Sequence, residues 1–432
     1  MERQGREQEE TLPEKYILKK RKTMNPLYNF AISAYRTAVR IASVRNDKAK
    51  RMLQGHAETF GILKNNIGEK DDCIWIHASS LGEFEQGRPI IESIKSRNPG
   101  QKILLTFFSP SGYDVRKDYP LADTVCYLPF DLPRNVEKFL DMAHPRMAIF
   151  IKYEFWGNYL NALNNRGIPA YIISAIFRPT QLFFKPYGKM FRRMLGFYKH
   201  LFVQDETSRE LLAGIGVTNV SVTGDTRFDR VIKICDEAAE VPFAEAFSAG
   251  HRTLIAGSSW PHDEEIFIEY FNSHPGMKLI IAPHEINDGH LEYITSLLKR
   301  PWVRYSEREG KNPADYDCLI IDCFGLLSSI YRYGQTAYIG GGFGAGIHNV
   351  PEAAVYGIPV IFGPNYKKFK EAHDLLENKG AYTISDASGF NAVMQLLDNE
   401  EKRKASGEAA GKYIRRNAGA TERIIEMLPI IK

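Results

Sequence analysis

The glycine run Gly340-Gly341-Gly342-Phe343-Gly344-Ala345-Gly346, followed by Ile347-His348-Asn349, carries the strongest chemical signal in the chain. Glycine has no Cβ, so such a loop can let its backbone approach a ligand closely. A helix is expected to begin near Pro351, and unpaired N–H groups at a helix start attract phosphate. The run is neither G-x-G-x-x-G after a first strand nor a P-loop ending in Gly-Lys-Ser/Thr. Phosphate binding is the expectation, and a tight structural turn is its competitor. Glu352 stands in the first helical turn, where it can favour the dipole or accept from ribose hydroxyls.

A second centre is Glu83, in the segment His77-Ala78-Ser79-Ser80-Leu81-Gly82-Glu83. A carboxylate at a site edge with apolar neighbours suits general-base work near neutral pH. Glutamate in a first helical turn is also common for dipole reasons alone. Glu85 offers another carboxylate, and periodicity does not say which of the two faces a ligand. His77, His262, His284 and His348 lie in or beside these loops without H-E-x-x-H or another metal spacing. No metal or cofactor is expected.

The elements that must hold these groups are short apolar runs alternating with helical stretches. Strands are predicted at 73–77, 102–107, 147–151, 170–173, 200–203 and 220–222. A second series is predicted at 253–256, 278–282, 318–321, 337–339 and 360–362. Alternation of this kind predicts parallel sheets with helices on both faces, here two doubly wound α/β domains with a cleft between them. In such sheets ligands sit beyond the carboxyl ends of strands, which singles out the loops at 77–83, 257–259 and 340–349.

Ahead of the first strand, residues 1–23 read as a polar tail ending in Lys19-Lys20-Arg21-Lys22. Over 24–48, Leu27, Phe30, Ala31, Ala34, Ala38 and Ile41 recur at helical spacing with Tyr28 and Tyr35 alongside and Arg36 and Arg40 on other faces. This helix either lies in a bilayer interface or packs on the domain that follows. The divisions expected are 49–228 and 251–432 as the two domains, with 229–250 as linker.

With 56 Lys and Arg against 52 Asp and Glu in 432 residues, there is no basic excess, so no nucleic-acid partner is expected. Five scattered cysteines without C-x-x-C suit a reducing compartment. No run reaches the length of a spanning helix, and the start is too polar for a secretory signal.

Taken in order, these segments resemble the bacterial 3-deoxy-D-manno-octulosonic acid (Kdo) transferases. The family's Ser-x-Gly-Glu appears as Ser80-Leu81-Gly82-Glu83, and its T-x-x-x-P-x-G as Thr106-Phe107-Phe108-Ser109-Pro110-Ser111-Gly112. Glu154-Phe155-Trp156-Gly157-Asn158 is similar to E-L-W-P-N, and His348-Asn349-Val350-Pro351-Glu352-Ala353-Ala354 to H-N-x-x-E-P-A. The resemblance implies a GT-B glycosyltransferase, with an acceptor domain followed by a nucleotide-sugar domain. It implies Glu83 as the general base of an inverting transfer from CMP-Kdo to a lipid A precursor. It further implies a donor site of Ser258, Pro283, His284, Phe324, Gly325, Leu326, Gly342, His348, Asn349, Val350, Pro351 and Glu352. At the acceptor it points to Ser80 and Gly82. Arg178, Lys185 and Arg192, in a basic stretch with interleaved aromatics, either meet acceptor phosphates or form a solvated helix face.

An amphiphilic acceptor implies work at the anionic cytoplasmic face of the inner membrane. The chain departs from the family at Pro283-His284-Glu285-Ile286, where P-R-H-P-E-R is usual. Leu326 stands for a glutamate, Ile347 for a glycine, and Gly257-Ser258-Ser259-Trp260 for G-S-T-H. Alternatives are another GT-B enzyme using a UDP-sugar, or a non-catalytic nucleotide- or lipid-binding protein of the same fold.

Overall fold

A computed structural model describes residues 24–430. The tail at 1–23, with its basic run, lies outside the described residues. The chain forms two units, the first running to Val222 and taking the chain back at Ile430, the second spanning Thr223–Pro429.

In the first unit, β1 (Cys73–Ala78), β2 (Lys102–Phe107), β3 (Thr124–Tyr127), β4 (Pro145–Ile151), β5 (Ala170–Ala175), β6 (His200–Val203) and β7 (Val220–Val222) form one parallel sheet. Their order is β3-β2-β1-β4-β5-β6-β7, so the winding reverses between β1 and β4. Trp75 pairs with Leu104 on one side and Ala148 on the other. Helices cover both faces, which leaves the strands almost wholly buried. Trp75, Phe139, Phe150 and Tyr159 form the aromatic centre of one core.

The second unit repeats the plan with β8 (Arg252–Ser259), β9 (Met277–Pro283), β10 (Trp302–Arg304), β11 (Cys318–Ile320), β12 (Thr336–Ile339), β13 (Val360–Phe362) and β14 (Ala381–Thr383). The order β10-β11-β9-β8-β12-β13-β14 reverses between β8 and β12. Alternation along the strands divides two cores: Ile255 and Ile280 face one side, Leu254, Ala256, Leu279 and Ile281 the other.

Residues 229–250, expected as a linker, belong to the second unit. They lie largely in helices Thr226–Asp236 and Pro242–Ser248, whose Phe228, Val231, Val241, Ala244 and Phe247 are buried in its core. At the other end, Arg146 donates to the carbonyl of Ile430 at 2.9 Å, so the last described residue packs on the first unit, not on the 251–432 domain.

Before β1 stand two helices, α1 (Pro26–Ala42) and α2 (Asp47–Asn66). Asn25 caps α1 by accepting from the Leu27 N–H, and Pro26 suits its first turn. Met24 and the inward face of α1 are tied down, because Met24 enters the first core and Tyr28 and Asn29 bond to loops of that unit. The opposite stripe is apolar and exposed, with Leu27 at 68%, Phe30 at 71% and Ile41 at 70%. No helix among the described residues is long and apolar enough to cross a membrane.

Candidate functional site

Each sheet carries its central candidates, Glu83 after β1 and the glycine run after β12, at the point where the winding reverses, the place at which adjacent loops diverge and leave a crevice. In the first unit the loop after β1 leads into helix α3 (Leu81–Arg97), with Ser80 at its N-cap. The Ser80 hydroxyl donates to Glu83 Oε2 instead of capping the backbone. Glu83 is half-buried, while Gly82 is exposed. The two acidic candidates are separated by their partners. Glu85 is held by Arg116 at 2.9 Å and Arg88 at 3.7 Å, while among the described residues Glu83 is bonded by Ser80. Phe84 turns inward between them and packs on Phe107 and Tyr119.

Directly before this loop, His77 is fully buried, with Nδ1 2.8 Å from Thr106 Oγ1 and Nε2 3.2 Å from Glu154 Oε2. Glu154 also accepts from the Trp156 indole, so the loop after β4 is fastened to the end of β1. Asp131 finishes the frame by accepting from the backbone of Asn158 at 3.0 Å and of Tyr159 at 2.9 Å. Tyr28 of α1 donates to the same carboxylate at 2.5 Å. Complete burial pushes Asp131 up to about 6 despite these three donors.

Of the basic candidates in this unit, Arg178 borders a cavity of about 440 Å³ walled by Tyr153, Phe155, Leu182, Phe183 and Phe191. Lys185 is half-buried in the turn beside it. Arg192 is turned toward its own turn, its guanidinium donating to the carbonyls of Phe183 at 2.9 Å, Lys185 at 2.8 Å and Pro186 at 3.3 Å. Spacing showed its charge but not the turn that consumes it.

In the second unit the loops after β8, β9, β11 and β12 emerge from neighbouring strands. Gly340 and Gly342 are required by close approach: a Cβ at 340 would lie 2.2 Å from the Ser258 carbonyl, and one at 342 would lie 2.6 Å from the Gly363 backbone. Ser258 holds φ of 52°, a strained angle for a residue with a Cβ. The helix after the glycine run is shorter than expected, only Val350–Ala354, so its dipole is weak. Asn349 donates from Nδ2 to Glu352 Oε1 at 2.6 Å, and its Oδ1 is buried without a partner among the described residues. Val350 and Pro351 are buried and support this loop.

Pro283 ends β9, and the exposed His284 ring stacks on both Trp260 and His348. Burial first, and then the neighbouring His284, push His348 down to about 4. Phe324 and Gly325 project at the surface after β11, Phe324 being 82% exposed, and Leu326 starts the next turn of helix. The structure shows no contact joining them to the histidine stack.

A residue overlooked in the sequence organises this region. Asp263, 1% exposed, accepts from Gly341 N at 2.9 Å, Trp260 N at 3.0 Å and Tyr338 Oη at 2.8 Å. Desolvation raises its pKa. The signal available was Trp260-Pro261-His262-Asp263, a proline at the helix start with an acid two residues on. No cluster of three or more metal-ligating side chains occurs among the described residues.

The sequence model described as 3-Deoxy-D-manno-octulosonic-acid transferase (kdotransferase) matches residues 54–230. A 3-deoxy-D-manno-octulosonic acid transferase from Haemophilus influenzae is 26% identical, covering 88% of this chain and 92% of that protein. One from Bordetella pertussis is also 26% identical, covering 82% and 86%. Among solved structures, UDP-GlcNAc 2-epimerase from Neisseria meningitidis bound to UDP-GlcNAc aligns with a TM-score of 0.59 at 16% identity, covering 82% of this chain and 98% of its own, a likeness of fold alone. Two doubly wound units, the matched segment carrying Ser80 to Glu83, and relatives aligned along nearly their whole length agree: the chain is similar throughout to the 3-deoxy-D-manno-octulosonic acid transferases.

Proposed function

We propose that this protein transfers Kdo from CMP-Kdo to a phosphorylated, acylated disaccharide precursor of lipid A. The observation that carries the reading is Glu83, at the reversal point of the first sheet, held among the described residues by the Ser80 hydroxyl while Glu85 is bound by two arginines. In this reading Glu83 takes the proton of an acceptor hydroxyl, whose oxygen attacks C2 of the sugar while CMP leaves from the opposite face. The configuration therefore inverts. Base assistance of this kind is worth roughly 10²–10⁴-fold.

The second unit holds the donor in this scheme. The glycine loop brings backbone close to the phosphate, and the orphaned Asn349 Oδ1 accepts from a nucleoside N–H or O–H. Glu352, oriented by Asn349, takes ribose hydroxyls. Arg178 and the aromatic cavity beside it are the part of the first unit suited to an acceptor bearing phosphate and acyl chains. The proposed step needs no metal, since the leaving group is a monophosphate ester already carried by these polar groups.

The exposed apolar stripe of α1, on a helix that also carries Arg36 and Arg40, supports a peripheral seat on an anionic membrane, the cytoplasmic face of the inner membrane. Exchanging Leu27, Phe30 and Ile41 together for serine is expected to release the protein from anionic liposomes in a flotation assay. Unchanged binding would refute the seat.

The reaction itself is tested by incubating Glu83→Gln with CMP-Kdo and the acylated disaccharide and weighing the lipid by mass spectrometry. Turnover should fall about 10²–10⁴-fold with the fold intact, since a Gln side chain still accepts from Ser80. Near-wild-type turnover would remove Glu83 as base.

A further inference from the structure

Three loops of the second unit meet in one stack of rings. His284 lies on Trp260 with centroids 4.6 Å apart and planes 27° from parallel. It lies equally on His348, at 4.4 Å and 25°. Within that stack the Trp260 indole Nε1–H donates to His348 Nε2 at 3.1 Å. An indole N–H can only donate, so Nε2 of His348 must accept and carries no proton. The neutral ring then holds its proton on Nδ1, which has no protein partner among the described residues.

We infer that Trp260 is a positioning residue for the donor: its indole N–H locks His348 as the Nδ1–H tautomer, presenting a neutral donor beside the glycine loop to an anionic oxygen of the nucleotide sugar. The inference rests on the reading that the second unit binds CMP-Kdo. Its frame is rigid, because Asp263 accepts from both the Trp260 and the Gly341 backbone, fixing the tryptophan and the loop relative to each other. His348 also lies against Gly341, where an added Cβ would be 3.0 Å from its ring, and its own N–H donates to the Gly340 carbonyl at 3.2 Å. The ring is therefore held at backbone, edge and face.

Charge does not serve this position well. Two imidazoles stacked at 4.4 Å repel when both are protonated, and His348 is the more enclosed of the pair. A neutral N–H of fixed direction is what the packing selects. Two positions at which the chain departs from the family pattern, Trp260 and His284, touch each other through this stack, so neither exchange is independent of the other.

The experiment uses full-length protein labelled with ¹⁵N-histidine and examined by long-range ¹H–¹⁵N spectra without ligand at neutral pH. One ring signal, absent in His348→Ala, should have the Nδ1–H pattern. Trp260→Phe keeps a ring in the stack but removes the N–H, and that signal should move toward the Nε2–H form that free histidine favours. CMP, titrated calorimetrically, should bind Trp260→Phe about tenfold more weakly. His348→Ala should weaken binding to a similar extent, and the double variant should lose no more than either alone. An Nε2–H signal in the wild type, or unchanged CMP affinity in Trp260→Phe, overturns the inference. Wild-type protein that does not bind CMP would instead sink the donor reading, while the ligand-free spectra still decide whether Trp260 sets the tautomer.

Discussion

Removing the Tyr28 hydroxyl should loosen the first unit, and the loss should grow with pH. The phenol donates to Asp131 at 2.5 Å and accepts from the Gly157 N–H at 3.0 Å. Tyr28→Phe therefore takes one of three donors from a buried carboxylate and strands a backbone N–H. A bond to a charged group is worth about 1.5–3 kcal/mol, and with the stranded N–H the expected cost at pH 8 is about 2–4 kcal/mol.

Asp131 titrates near 6 in the folded chain against 3.8 in a free chain. An acid with a raised pKa binds its proton more tightly when folded, so its contribution is fully present below 3.8 and is lost as pH rises through 6. Losing a donor raises that pKa further and extends the loss upward. The variant should thus lie closer to wild type at pH 5 than at pH 8. Hydrogen exchange measured by mass spectrometry on peptides of β1, β4 and β5 reads this unit separately from the other, which a single melting curve would not do. A difference below about 0.5 kcal/mol at pH 8, or one independent of pH, would refute the argument.

Gly342→Ala should weaken CMP binding and cost about 1–3 kcal/mol in the second unit, because its Cβ would meet the Gly363 backbone; calorimetry and exchange on peptides of β12 and β13 test both. His56, buried and stacked on Phe130, is pushed down to about 4, with desolvation the largest cause. Its unfolded form takes a proton near 6.5, so its contribution is present above 6.5 and is lost as pH falls toward 4, by up to about 1.4 kcal/mol per pH unit. His56→Phe should flatten the acid side of the first unit's stability profile in the same exchange measurement, and an unaltered slope would contradict this.

Most strands were legible because both faces are buried, which writes them as continuous apolar runs such as Ile74-Trp75-Ile76 and Leu279-Ile280-Ile281. The three that escaped, β3, β10 and β14, are short and lie at sheet edges, where partly exposed residues break up the apolar run. The linker was misjudged for a different reason. Its alanines and glutamates suggested a solvated connection, but Val231, Val241 and Phe247 were the informative residues, since they are the ones that pack.

At the site, the positions of Glu83 and His348 could be read from their motifs, but their surroundings could not. What separates Glu83 from Glu85 is the reach of Arg88 and Arg116, the latter from a different helix. What engages Arg192 is a turn whose carbonyls converge on it. Asp263 escaped because an acid near a helix start is ordinary, and its bond to Gly341 spans 78 positions of sequence.

The two-sided character of α1 has a practical consequence for anyone wishing to handle this protein in detergent-free buffer. Cutting away the first turns would pull Met24 out of the interior and take from Gly157 two of the three side chains packed nearest it, Met24 and Tyr28, leaving Met194. The greasy surface and the inner support belong to one helix but to opposite sides of it. Solubility should therefore be sought by repainting Leu27, Phe30 and Ile41 with polar side chains, while the face bearing Tyr28 and Asn29 stays untouched.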